Sequence, residues 1–350
     1  MAQFRKHLAI YMAAVCIAAF STSQALAQGK TDRIRLTKGT EAGEVTDMTP
    51  LEVTVKKGLG GNQTIAVNEI RSIQFADEPS ELSQARLNSS NGAYANALTS
   101  LTKIDVNAIK RDFIKQDVDF YKALCAARLA LGGSGEIGDA GRQLNAFVRA
   151  YPKNFHYLAA VEAMGDLLMA AEKYDLAQRQ YAELAKAPWP DYKMRAATAT
   201  GRSLQAQGKH EEAIKQFDSA LAMATDTADA QNQKLSATLG KAISLAEAGE
   251  VDAAVAAIDN VIQDADPEEQ ELHARAYIAK GKCYEKGGQT KDALIAFLHV
   301  DVVYATVPDA HAEALAHLAP LWQAVGQEQR AREARQMLKE RYGGSKWAKQ

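Results

Sequence analysis

The stretch Gly133-Ser134-Gly135-Glu136-Ile137-Gly138 has the G-x-G-x-x-G spacing that lets backbone amides cradle a pyrophosphate. That chemistry needs a strand before the glycines and a helix N-terminus after them. Here the preceding residues, Tyr121 to Leu131, are rich in alanine and leucine and read as a helix, so the glycines form a connection between helices. Gly58-Leu59-Gly60-Gly61 is a β-turn cluster with no phosphate-binding lysine after it. Of the seven histidines, His156, His210, His273, His299, His311 and His317 lie beyond the N-terminal apolar segment. None forms H-E-x-x-H, and the spacing of His311 and His317 does not put both on one helical face, so no metal site is expected. His210-Glu211-Glu212 reads as a helix start, where acids oppose the positive end of the dipole. Cys125 and Cys283 fall in separate helical stretches with no histidine placed to activate them, and read as packing thiols. No G-x-S-x-G elbow is present, and Glu268, Glu269 and Glu271 read as surface charge. The expectation is a protein without catalytic residues, cofactor or metal, and not an enzyme.

Charge points the same way. The 350 residues carry 41 Lys and Arg against 43 Asp and Glu, a net charge of −2, which argues against nucleic acid as a partner. The N-terminus has the layout of a secretory signal: Arg5 and Lys6, an apolar run from Leu8 to Phe20, polar residues, then Ala25-Leu26-Ala27. The apolar run is too short to span a bilayer. It predicts export to the periplasm or the extracellular space, with cleavage after Ala27. A competing lipoprotein reading would acylate Cys16, but Val15 stands where a small residue is needed.

Most of the chain is built to stack helices. Gly201, Leu204, Gly208, Ala213, Phe217 and Ala220 follow G-x2-L-x3-G-x4-A-x3-F-x2-A, and Gly281, Tyr284, Gly288, Ala293, Phe297 and Val300 repeat it. Gly165, Leu168, Tyr174, Ala177, Tyr181 and Leu184 repeat it again, with Glu172 at the turn. Small residues let two helices cross closely, large ones fill the space beside the crossing, and glycine ends the first helix. Weaker copies begin at Ala85, Phe120, Ala242 and Ala319, giving seven hairpins at intervals of about 36 to 43 residues. Pro320 predicts a kink or break between His317 and Leu321. Gly343-Gly344 ends the last helix.

These residues resemble the tetratricopeptide repeat, whose period is about 34 residues. The resemblance implies an α-solenoid that binds partners in a concave groove lined by the first helix of each hairpin. Carrying over its groove positions two, five, nine and twelve gives Arg195, Thr198, Arg202 and Gln205, then Arg275, Lys282 and Glu285. Four of the seven are cationic, which suits an extended acidic segment or a C-terminal carboxylate. In the hairpin between, Leu239 and Ile243 are apolar. The C-terminal half, closing on Tyr342 and Ser345-Lys346-Trp347-Ala348, is similar to bacterial envelope proteins of this type that assist outer-membrane or cell-division assembly.

Ahead of the repeats, Ile34, Leu36, Val45, Leu51, Val53, Val55, Ile65, Val67, Ile70, Ile73 and Phe75 alternate with polar residues between turn signals. Five short strands result, similar in spacing to an SH3-like or Sm-like barrel. The expected organisation is a signal peptide over 1–27, a β module over 28–77, helical repeats over 78–342 and a tail over 343–350. The chain thus reads as a non-catalytic scaffold for proteins or peptides in the cell envelope or periplasm. The alternative makes the β module the end that binds a polymer or surface, with the repeats as spacer or oligomerisation element.

Overall fold

The computed structural model describes residues 31–58, 60–223 and 227–349. The expected signal peptide with its cleavage site, and Cys16, lie outside the described residues. Five strands come first: β1 (Asp32–Leu36), β2 (Thr40–Met48), β3 (Glu52–Lys57), β4 (Gly61–Ala66) and β5 (Ile70–Gln74). They form one antiparallel sheet in the order β4-β3-β2-β1-β5. The sheet is open, with β4 and β5 at opposite edges, and this corrects the barrel-like expectation. The physical reason lies in what covers its apolar face. Ile34, Val45, Val53, Val55, Ile65, Ile73 and Phe75 share one buried core with the first helices, so the strands have no need to curl onto themselves.

A buried ion pair fixes this packing. Asp32 is wholly enclosed and accepts hydrogen bonds from the Val45 and Ala76 amides at 2.7 and 2.8 Å. Arg111 grips the same carboxylate through both terminal nitrogens, at 2.6 and 2.7 Å, and also donates to the Val45 carbonyl. Its guanidinium lies 5.2 Å from the Phe75 ring centroid. In a second buried cluster, Arg86 joins Glu78 to Asp117, and Asp117 lies 2.8 Å from the ring of His156, which stacks on Phe120. Burial would push the Asp117 carboxyl up, but Arg86 and His156 outweigh it and hold it below the usual carboxylate range. Burial pushes His156 down, against the pull of Asp117.

Fourteen α-helices follow as seven antiparallel hairpins. They pair as α1 (Ser80–Ser90) with α2 (Tyr94–Thr102), α3 (Asp112–Leu131) with α4 (Ile137–Ala150), and α5 (Tyr157–Ala170) with α6 (Tyr174–Leu184). Next come α7 (Pro190–Ala206) with α8 (His210–Ala222), and α9 (Ala228–Glu247) with α10 (Val251–Asp264). The last are α11 (Gln270–Lys286) with α12 (Thr290–Val303), and α13 (Pro308–Ala324) with α14 (Glu328–Tyr342).

Each hairpin turns on one residue with positive φ: Gly92, Gly133, Glu172, Gly208, Gly249, Gly288 and Gly326. The residue after it donates back to the helix it leaves, as Lys209 does to Leu204 at 2.9 Å and Gln289 to Tyr284 at 2.8 Å. This is a left-handed helix stop. Above each turn the helices cross on small residues. A Cβ added at Gly201 would lie 2.7 Å from the Phe217 ring, and one at Gly281 2.6 Å from Phe297. Phe217 and Phe297 are fully buried there, filling the space beside the crossing. Helix α13 runs unbroken through Pro320, so the expected break does not occur; Pro320 is exposed, which leaves the carbonyl it cannot bond on the solvent side.

Candidate functional site

The groove follows from how the hairpins stack. First helices of successive hairpins touch one another, α3 with α5, α7 with α9, α9 with α11 and α11 with α13, whereas second helices pack mainly on the first helices at either side. First helices therefore line the inner, concave face and second helices the outer one.

The structure separates the seven predicted groove residues into distinct roles. Arg195 pairs with Glu162 of α5 and packs over the Tyr192 ring. Lys282 pairs with Glu313 of α13 at 3.2 Å, and Glu285 with His317 of α13 at 2.7 Å. Thr198 is wholly buried, and its hydroxyl has no hydrogen-bond partner among the described residues. It is a wall residue, out of reach of a ligand in the groove. Gln205 donates to the Gly240 carbonyl and the Ser244 hydroxyl, both at 2.9 Å, tying α7 to α9. Arg275 pairs along its own helix with exposed Glu271 at 2.7 Å, a contact worth only a few tenths of a kcal/mol in water.

Arg202 differs from the rest. Its side chain is exposed, yet among the described residues it has no hydrogen-bond or ion-pair partner. Surrounding protein pushes its pKa down by desolvation, and the Arg275 charge adds to that, while Asp166 opposes it. Solvent contact combined with desolvation is what a side chain on the floor of a groove experiences. Asp166 is itself occupied by Arg128 at 3.4 Å and the Tyr181 hydroxyl at 3.2 Å. The position on α9 equivalent to Arg202 is held by half-buried Ile243. The arrangement can seat a carboxylate at Arg202 and Arg275, with apolar contact from α9.

The acids facing these cations were missed from sequence. Glu162, Asp166 and Glu313 occupy groove positions five, nine and two of their own hairpins, so extending the same positional rule to every repeat finds them. Among the described residues no three His, Cys, Asp or Glu side chains converge as metal ligands. Cys125 and Cys283 are buried, and burial pushes the Cys283 thiol up to about 12, away from reactivity. The G-x-G-x-x-G stretch joins α3 to α4, with no strand before it. No helix among the described residues is long and apolar enough to cross a membrane.

Comparison with known proteins gives the same architecture. A tetratricopeptide repeat profile matches three overlapping stretches, residues 162–228, 198–269 and 239–300. Among solved structures, the chain is similar to a tetratricopeptide repeat protein from Parabacteroides merdae, at 16% identity over 75% of this chain and 92% of that one, with a TM-score of 0.51. It is also similar to the apo quorum sensor NprR from B. thuringiensis, at 15% identity over 74% of each chain and a TM-score of 0.57. Apo RapI matches at 11% identity over 76% of this chain and 97% of that one, with a TM-score of 0.57. At such identities the likeness is one of fold. No curated protein matches by sequence. Residues 162–300 are tetratricopeptide repeats, and with the flanking hairpins they form a helical solenoid of that kind behind an open five-stranded sheet.

Proposed function

We propose that the protein is a non-catalytic interaction scaffold that holds an extended acidic segment of a partner protein or peptide in its concave groove. Tetratricopeptide repeat proteins are generally scaffolds of this sort, and the quorum sensor NprR shares the fold. The observation that carries the reading is Arg202, an exposed cation with no hydrogen-bond or ion-pair partner among the described residues, whose surroundings include the charges of both Asp166 and Arg275. Every other predicted groove cation is already met by an acid. The leader from Arg5 to Ala27 supports export, and with it a partner in the envelope or periplasm.

The test is a titration of the full chain with a fluorescein-labelled deca-glutamate peptide, followed by anisotropy. Binding is expected to weaken steeply with salt, and Arg202→Glu with Arg275→Glu to reduce affinity at least tenfold. Unchanged affinity in that double variant, with its helical circular dichroism intact, rejects the proposal. Replacing a paired set together, Arg195→Gln with Glu162→Gln, is expected to do much less, because it leaves the local charge unchanged.

A further inference from the structure

Two glycines far apart in sequence meet backbone to backbone. A Cβ added at Gly133 would lie 2.3 Å from the Gly344 carbonyl carbon and 2.7 Å from the Ser345 amide nitrogen, and one at Gly344 would lie 2.2 Å from the Gly133 oxygen. Gly133 is in the turn at one end of the second hairpin, whereas Gly344 follows the second helix of the last hairpin and so lies at that hairpin's opposite end. They can touch only if the array curves far enough to bring the end of the last hairpin against the turn of the second.

Both sides of the contact are rigid. Gly133 is held at φ 79° by the helix stop. On the other side the Tyr342 hydroxyl bonds His311, which bonds Asp301, while the Ser345 amide donates to the Tyr342 carbonyl at 2.8 Å. Trp347 and Ala348 pack on the core of the last two hairpins. Gly344 does not have positive φ, so its own backbone does not call for glycine. The missing side chain is used by the contact.

We infer that the Gly343–Ser345 turn is a clasp that closes the array on its second hairpin and gates entry to the groove. The gating rests on the groove reading above; the clasp does not. With the clasp shut, a partner must thread in as an extended chain.

Nitroxide labels at Glu136→Cys and Lys349→Cys, in a full chain that also carries Cys16→Ser, report the clasp by electron–electron double resonance, since Cys125 and Cys283 are buried and stay unlabelled. The expected result is a single short distance that Gly344→Val shifts to longer values, with the milder Gly344→Ala shifting part of the population. Association of fluorescein-labelled deca-glutamate is expected to speed up several-fold in the same variants. A long or broad distance in the chain with Gly344, or one unmoved by either substitution, overturns the clasp. A distance that moves without a change in association rate overturns the gating. Loss of peptide binding in every variant would instead overturn the groove reading, because the distance needs no ligand.

Discussion

Glu172 is the one non-glycine at a hairpin turn, held at φ 58° where a Cβ costs about 1–2 kcal/mol. Glu172→Gly is therefore expected to raise stability by about 0.5–1 kcal/mol, the strain released less the extra freedom of glycine in the unfolded chain; thermal melting reads it. His156 makes the opposite kind of contribution. Its folded pKa lies below the ordinary value of about 6.5, so its stabilisation is complete above that pH and is lost as pH falls through the folded value. Asp117, also depressed, loses its share only in a separate window below about pH 4. The melting temperature is expected to drop between pH 7 and pH 5, and His156→Gln to flatten that slope whatever it does to stability at pH 7. At this scale the repeat spacing predicts which residues hold groove positions but not who answers them. Arg202 and Arg195 look alike in the chain; only the packing of α7 against α5 gives Glu162 to one and leaves the other unpaired.

The sheet and the first helices meet at Asp32 and Arg111, a pair that satisfies every oxygen of a wholly buried carboxylate. Removing one partner strands the other, so Arg111→Leu is expected to cost about 3 kcal/mol or more, measured by urea unfolding, and far more than any exposed pair on the repeats. The hairpins were readable because their signal is local: a small residue, a turn residue seven positions on, and an aromatic on the returning helix, as in Gly201, Gly208 and Phe217. The five strands were readable for the same reason, through alternation. Closure of the sheet was not, because alternation shows which face is apolar and not what covers it. Here the first helices share the core of that face, and β4 and β5 stay apart. Pro320 does not break α13: its cost is set by whether the orphaned carbonyl meets water, and Pro320 lies on the exposed side of the helix.

At the scale of the whole molecule, the solenoid concentrates its recognition chemistry. Among the described residues of the proposed groove, Arg195 and Lys282 are met by acids of neighbouring hairpins, Arg275 by an exposed acid on its own helix, and Arg202 by no hydrogen-bond or ion-pair partner. The outer face offers a rival surface, since Ile295, Val302 and Val303 of α12 are exposed there. One measurement decides between the two. A photo-crosslinking amino acid is placed at Ile243 in the groove or at Ile295 on the outer helix, and the labelled deca-glutamate peptide is added under illumination. Crosslinking from position 243 that excess unlabelled peptide abolishes, with none from position 295, is the predicted result. Crosslinking from position 295 and not from 243 would contradict it.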